Sequence, residues 1–117
     1  MRRERFDEAI LVHSQWKKRL KKAIETSTSD LTSEEAKDFH NCSFGQWLDS
    51  KDSKKLPHHS ELLEMHRKFH EEAALILELA LQGAKAEAIE RIALGSQFGQ
   101  LTAKLINKLV DIRDSLP

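Results

Sequence analysis

The sequence predicts an all-α protein, four-helix-bundle-like with one or two additional short helices. Three observations predict it. Over three long stretches apolar residues recur at three- and four-residue steps, the spacing that gathers them on one helix face. No stretch alternates apolar and polar residues as a half-buried strand does. Short polar runs that suit turns separate the stretches, and no internal repeat is present.

The first helix is expected near residues 4 to 25. Phe6, Ala9, Ile10, His13, Trp16, Leu20, Ala23 and Ile24 share a face, with Arg, Lys and Glu between them. Thr26-Ser27-Thr28-Ser29-Asp30 ends it. Thr32-Ser33-Glu34-Glu35 has the form of a capping box, which predicts a short helix near 33 to 39. A second short helix is expected to begin near Cys42 or Ser43, with Phe44, Trp47 and Leu48 on one face. A polar loop follows at residues 49 to 55. Pro57 suits the first position of the next helix, because a proline there gives up an N–H that has no partner anyway. Its stripe is Leu62, Leu63, His66, Phe69, His70, Ala73, Ile76, Leu77, Ala80 and Leu81, and Gly83 suits the left-handed residue beyond its end. A last helix is expected from about 85 to 115 with two apolar faces. One holds Ile89, Ile92, Ala103, Ile106 and Val110; the other holds Leu94, Phe98, Leu101, Leu105 and Ile112. Gly95 and Gly99 lie one turn apart on it, allowing close packing or marking a weak point.

A chain of 117 residues fits a single domain, 1–117, that can bury one core without disulfides. Nineteen basic residues balance nineteen acidic ones, so the charge calls for neither nucleic acid nor an anionic membrane. The run Lys17-Lys18-Arg19-Leu20-Lys21-Lys22 sits in the last turns of a helix, where cations oppose the negative dipole end. It lacks aromatic interleaving and any nucleic-acid-reading motif. One cysteine excludes an internal disulfide and suits a reducing compartment. The charges at Asp7, Glu8 and Lys17 break up any signal-peptide or membrane-spanning run. A cytoplasmic location is expected.

Six histidines remain to be explained, and their positions are informative. His13 interrupts the apolar stripe of the first helix; His66 and His70 interrupt that of the long middle helix. A buried imidazole needs partners for its ring nitrogens. Neutral imidazole is also the commonest metal ligand. His66 and His70 are four apart, so they leave one face with Cβ atoms about 5–6 Å apart. Cys42, at an expected helix start that favours its thiolate, is the remaining candidate. Three imidazoles and one thiolate form a closed tetrahedral set of the kind zinc prefers. Spacing alone leaves two readings standing, a zinc site or hydrogen-bonded core histidines.

Other readings of the spacing fit less well. In His66-Arg67-Lys68-Phe69-His70 an Arg stands where a metalloprotease needs its Glu general base. A di-iron bundle recruits several inward carboxylates, whereas Glu64, Glu71 and Glu72 flank the stripe. His40, two residues from Cys42, could substitute as a ligand. His59 shares a face with His66 but lies two turns away, too far to reach the same ion. His40, His58 and His59 are expected at exposed helix ends and loops. Trp16 and Trp47 each closely follow a candidate ligand and are expected to pack around it.

His13-Ser14-Gln15-Trp16, Cys42-Ser43-Phe44-Gly45-Gln46-Trp47-Leu48 and His66-x-x-Phe69-His70 together resemble the chemoreceptor zinc-binding domain family. The resemblance runs from about residue 6 to 110, and Cys-x-Phe-Gly-x-Trp is its most specific part. Matched position by position, it implies zinc bound by His13, Cys42, His66 and His70. It implies a cytoplasmic bacterial module of the sort attached to chemoreceptors or diguanylate cyclases. Such modules regulate the attached output, some in response to zinc and some to oxidants through the zinc-bound cysteine. Homodimers are known among them. No signalling or catalytic domain lies within these 117 residues, so the partner is expected to be reached in trans, or in cis if the chain is an excised domain. The expected function is therefore a regulatory zinc-binding module, not an enzyme. The alternatives are a helical scaffold stapled by zinc and a zinc-dependent hydrolase.

Overall fold

The computed structural model describes residues 3–29, 31–38, 42–51, 53–56, 58–93 and 96–115. His40, Pro57, Leu94 and Gly95 lie outside the described residues. Among those described, the regular elements are helices: α1 (Arg3–Thr26), α2 (Ser33–Lys37), α3 (Ser43–Leu48), α4 (His59–Leu81), α5 (Lys85–Ile92) and α6 (Gln97–Ser115), plus a 3-10 turn at Ser53–Lys55. The fold is all-α, as expected. No described helix is long and apolar enough to cross a membrane.

Helix α4 is the hub and touches each of the other five. Its inward stripe buries Leu62, His66, Phe69, His70, Ala73, Ile76, Leu77 and Ala80, while Leu81 stays exposed. Helix α1 buries Phe6, Ala9, His13, Trp16, Leu20, Ala23 and Ile24, close to the expected face. Phe69, fully buried, meets Phe98 of α6 at a ring distance of 5.3 Å and so ties α4 to α6. Removing a buried phenylalanine of this kind costs about 3–5 kcal/mol, so this pair is a principal anchor of the core.

Local signals set the helix ends. The capping box forms: Glu35 N–H donates to Thr32 Oγ1 (3.1 Å), and Thr32 N–H donates to Glu35 Oε1 (3.0 Å). Two of the N–H groups that α2 leaves unsatisfied thereby find partners. At the end of α4, Gly83 takes φ +79°. Its N–H donates to the Ala80 carbonyl and that of Ala84 to the Leu79 carbonyl, which satisfies two terminal acceptors.

The expected single helix from 85 to 115 is instead two helices. Ala93 is extended, and Ser96 starts α6 by accepting the Gly99 N–H on its Oγ (3.3 Å). A serine in that place competes with helix continuation, because it supplies the partner a new helix start needs. The break lets α5 bury Ala88 and Ile92 while α6 buries Phe98, Leu105, Leu109 and Ile112. Ile106 and Val110 remain half-buried and Ile89 is exposed.

Glu72 corrects a second expectation. It does not flank the stripe but is buried, with Arg91 Nη1 of α5 at 2.9 and 3.0 Å from its two carboxylate oxygens. The pair ties α5 to α4. Arg91→Ala strands a buried carboxylate and should cost about 1–2 kcal/mol, discounted because the guanidinium is half in solvent. Urea unfolding measures this, and Glu72→Gln in the same chain should recover part of the loss. An unchanged midpoint for Arg91→Ala would show that the pair contributes nothing.

Candidate metal centre

The core closes around a polar cluster rather than an apolar one. His13 comes from the middle of α1, and His66 and His70 from successive turns of α4. All three are at most 2% exposed. Cys42 arrives from the third element, as the residue immediately before α3, and is half-buried. Its sulfur makes no capping bond to the helix it precedes.

One potential ligand atom from each of His13, Cys42, His66 and His70 lies within 4.8 Å of every other. His66 Nε2 is 3.0 Å from His13 Nε2 and 3.0 Å from His70 Nε2. Cys42 Sγ is 3.9 Å from His13 Nε2. The outer nitrogens fix the protonation of two rings. His13 Nδ1 donates to the Ala9 carbonyl (2.7 Å) and His70 Nδ1 to the Ala36 carbonyl (3.0 Å). A carbonyl only accepts, so both Nδ1 atoms carry the proton. In the neutral rings both Nε2 atoms therefore present lone pairs towards His66 Nε2. A proton on His66 Nε2 can point at one of them and not at both. A cation at the common point satisfies all of them.

The donor set fits zinc. Tetrahedral bonds of about 2.0–2.1 Å to nitrogen and about 2.3 Å to sulfur place neighbouring donors about 3.3–3.6 Å apart. The observed 3.0 and 3.9 Å bracket that range. Backbone carbonyls on the outer ring nitrogens orient the imidazoles and raise their basicity, the usual supporting arrangement for metal-bound histidine.

Burial makes the cluster hostile to protons. It holds the His13 imidazole below its ordinary value, against the opposing hydrogen bond to Ala9. It pushes His70 down to about 4, with the Ala36 carbonyl opposing and the neighbouring His13 adding a smaller push downward. Both rings are therefore neutral and ready to ligate near pH 7.

Aromatic rings wall the cluster in. Phe44 stands edge-on to His66 (5.2 Å), Phe69 to His13 (5.2 Å) and Trp16 to His70 (5.6 Å). Trp47 stacks on Phe44 (5.7 Å) and so sits one ring further out than expected. On one side a cleft of about 450 Å³ borders the cluster, lined in part by Val12, Trp16, Asp38, Cys42 and His70.

The other histidines divide. His58 is exposed beside Glu61, as expected. His59 is not merely a helix-end residue: it is half-buried, and its Nε2 donates to the Leu48 carbonyl (2.8 Å). Its position one heptad before His66 was the available signal. Ala9 and Ala36 were not foreseeable, because they act through backbone carbonyls and their side chains carry no mark of the role.

The family model for the chemoreceptor zinc-binding domain matches residues 13–77, more than half of the 117. No curated protein and no solved structure matches the chain. All four clustered side chains fall inside the matched span, and the chain belongs to the chemoreceptor zinc-binding domain family, with zinc as its metal.

Proposed function

We propose that this chain is one regulatory zinc-binding domain of bacterial signalling, with the ion held by His13, Cys42, His66 and His70 and with Cys42 as the ligand that yields. One asymmetry carries the reading. The imidazoles hang from the 24-residue α1 and the 23-residue α4, whereas the sulfur hangs at the start of the six-residue α3. Short elements with little packing open at lower cost than long ones embedded in the core. Cys42 also lines the cleft and is half-buried, whereas the imidazoles are buried. His13, Cys42, His66 and His70 would hold the zinc, whose charge would offset that of the Cys42 thiolate. A peroxide that oxidises the thiolate to a sulfenic acid, and is itself reduced to water, leaves a poorer ligand. Withdrawal of zinc has the same consequence for α3. Phe44, Trp47 and Leu48 then lose their fixed packing, which changes the surface offered to a partner.

The partner is a signalling protein of the chemotaxis or cyclic-di-GMP type, reached in cis or in trans in the cytoplasm. Hydrogen exchange tests the switch. On zinc removal or mild oxidation, residues 42–50 should gain exchange well beyond the middle of α4. An equal change in both would refute Cys42 as the yielding ligand. It would favour the second reading, an inert structural staple, which the near-complete burial of the three imidazoles supports. A hydrolytic reading has less support, since four donors close a tetrahedral shell and a catalytic zinc keeps a position open.

We also propose a homodimer. One face of α6 is spent on the core, while Ile106 and Val110 on it and Ile89 on α5 keep apolar surface in solvent. Sedimentation at micromolar concentration should give twice the chain mass; a monomer mass would refute the dimer.

A further inference from the structure

We propose that His59 is a positioning residue for the Cys42 sulfur, acting through the Leu48 carbonyl at the far end of α3. The inference rests on Cys42 being a zinc ligand. It concerns what makes so short a helix deliver that ligand.

Helix α3 is tied to α4 at both ends. At its start, Cys42 reaches the histidine cluster and Phe44 meets the His66 ring at 5.2 Å. At its end, the Leu48 carbonyl is one of the acceptors a helix leaves without an internal partner. Two side chains converge on it: His59 Nε2 at 2.8 Å and Ser53 Oγ at 2.8 Å. Ser53 is fully buried, and Leu48 is 0% exposed. The carbonyl accepts, so His59 Nε2 carries the proton and the ring is held in that orientation.

The spacings match. At 1.5 Å per residue, the six steps from Cys42 to Leu48 span about 9 Å, and the seven from His59 to His66 about 10.5 Å. Helix α3 therefore lies along α4 in the opposite direction. One histidine of α4 holds its tail, and another, one heptad on, receives its head. His59 is too far from the cluster to be a ligand itself. With the tail fixed, the head has one place to go. With the tail freed, α3 can swing about the sulfur, and the zinc–sulfur bond alone must hold it. The imidazoles do not feel the change, because α1 and α4 are held by the core.

The experiment uses the full chain loaded with cobalt in place of zinc. Cobalt reports sulfur ligation by a sulfur-to-metal charge-transfer absorption and shows tetrahedral geometry in its visible bands. Cys42 alkylation by iodoacetamide in the zinc-loaded chain is the second readout. His59→Ala should keep about one metal per chain, weaken the charge-transfer band, and raise the alkylation rate about threefold to tenfold, the worth of one ordinary hydrogen bond. His59→Gln, which retains an N–H donor, should restore much of both. Ser53→Ala should move both in the same direction as His59→Ala. A charge-transfer band and alkylation rate unchanged in His59→Ala would overturn the proposal while leaving the ligand set intact. If His59→Ala loses helical circular dichroism, unchanged readouts in Ser53→Ala overturn it instead. Absence of the band in the unsubstituted chain would instead overturn the ligand reading, and this proposal with it.

Discussion

Alanine at His66 together with alanine at His70 is expected to empty the metal site. Zinc per chain should fall from about one to less than about a tenth, because a structural zinc site draws its affinity from a complete donor set. His66 should be the more damaging single loss. Its Nε2 is the common neighbour of the other two imidazole nitrogens, 3.0 Å from each. His13→Ala and Cys42→Ala should weaken binding by removing one donor each. His58→Ala is the control, since that side chain is exposed and lies beside Glu61 rather than in the cluster. Metal analysis after dialysis gives the answer, and circular dichroism shows that the helices persist. Full zinc retention in the double variant would rule out the proposed ligand set.

The second large effect concerns acid and the metal-free protein. In the unfolded chain a histidine takes up a proton below about pH 6.5. In the folded, metal-free chain His70 refuses that proton until about 4, because burial disfavours the imidazolium. His13 is shifted in the same direction by the same cause. Between these limits the unfolded state binds more protons than the folded one, so stability falls as the pH falls. Above about pH 7 these groups contribute no slope. From pH 7 to pH 5 the loss from His70 alone should be on the order of 2 kcal/mol. Urea unfolding of the chelated protein at the two pH values measures it. Equal stabilities would show that the folded chain accommodates the charge. Zinc competes with protons for the same lone pairs, and the folded chain keeps the His70 ring free of its proton down to about 4, so competition at that ring should set in only near there. The helical signal itself should survive chelation at pH 7, since the apolar stripes of α1, α4 and α6 supply a core of their own.

Side chains announce their roles in a sequence, whereas backbone groups do not. The faces of α1 and α4 were legible because burial imposes a period, and both helices end within two residues of where the period stops. The capping box and Gly83 were legible because only certain residues perform those tasks cheaply. The cluster was legible for the same reason: histidines standing where leucines belong require compensation, and the nearby cysteine completes a known donor set. The break between α5 and α6 was hidden because apolar residues continue through it. Ser96 is one residue against a long stripe, and its capping role shows only in its bond to Gly99. Glu72 was misplaced because a carboxylate is assumed to face water unless its partner is known, and Arg91 lies nineteen residues away on another helix. The tie between His59 and Leu48 was half legible. The register of His59 with His66 was visible, but the acceptor is a carbonyl, which every residue possesses.

X-ray absorption at the zinc edge of the purified protein tests the four-residue ligand set, because it counts and identifies the atoms bound to the metal. Binding by His13, Cys42, His66 and His70 predicts a four-atom shell with three nitrogens at about 2.0–2.1 Å and one sulfur at about 2.3 Å. It further predicts that Cys42→Ser removes the sulfur while the imidazole scattering stays. A shell of light atoms alone in the unsubstituted protein, or one unaltered by Cys42→Ser, would contradict it.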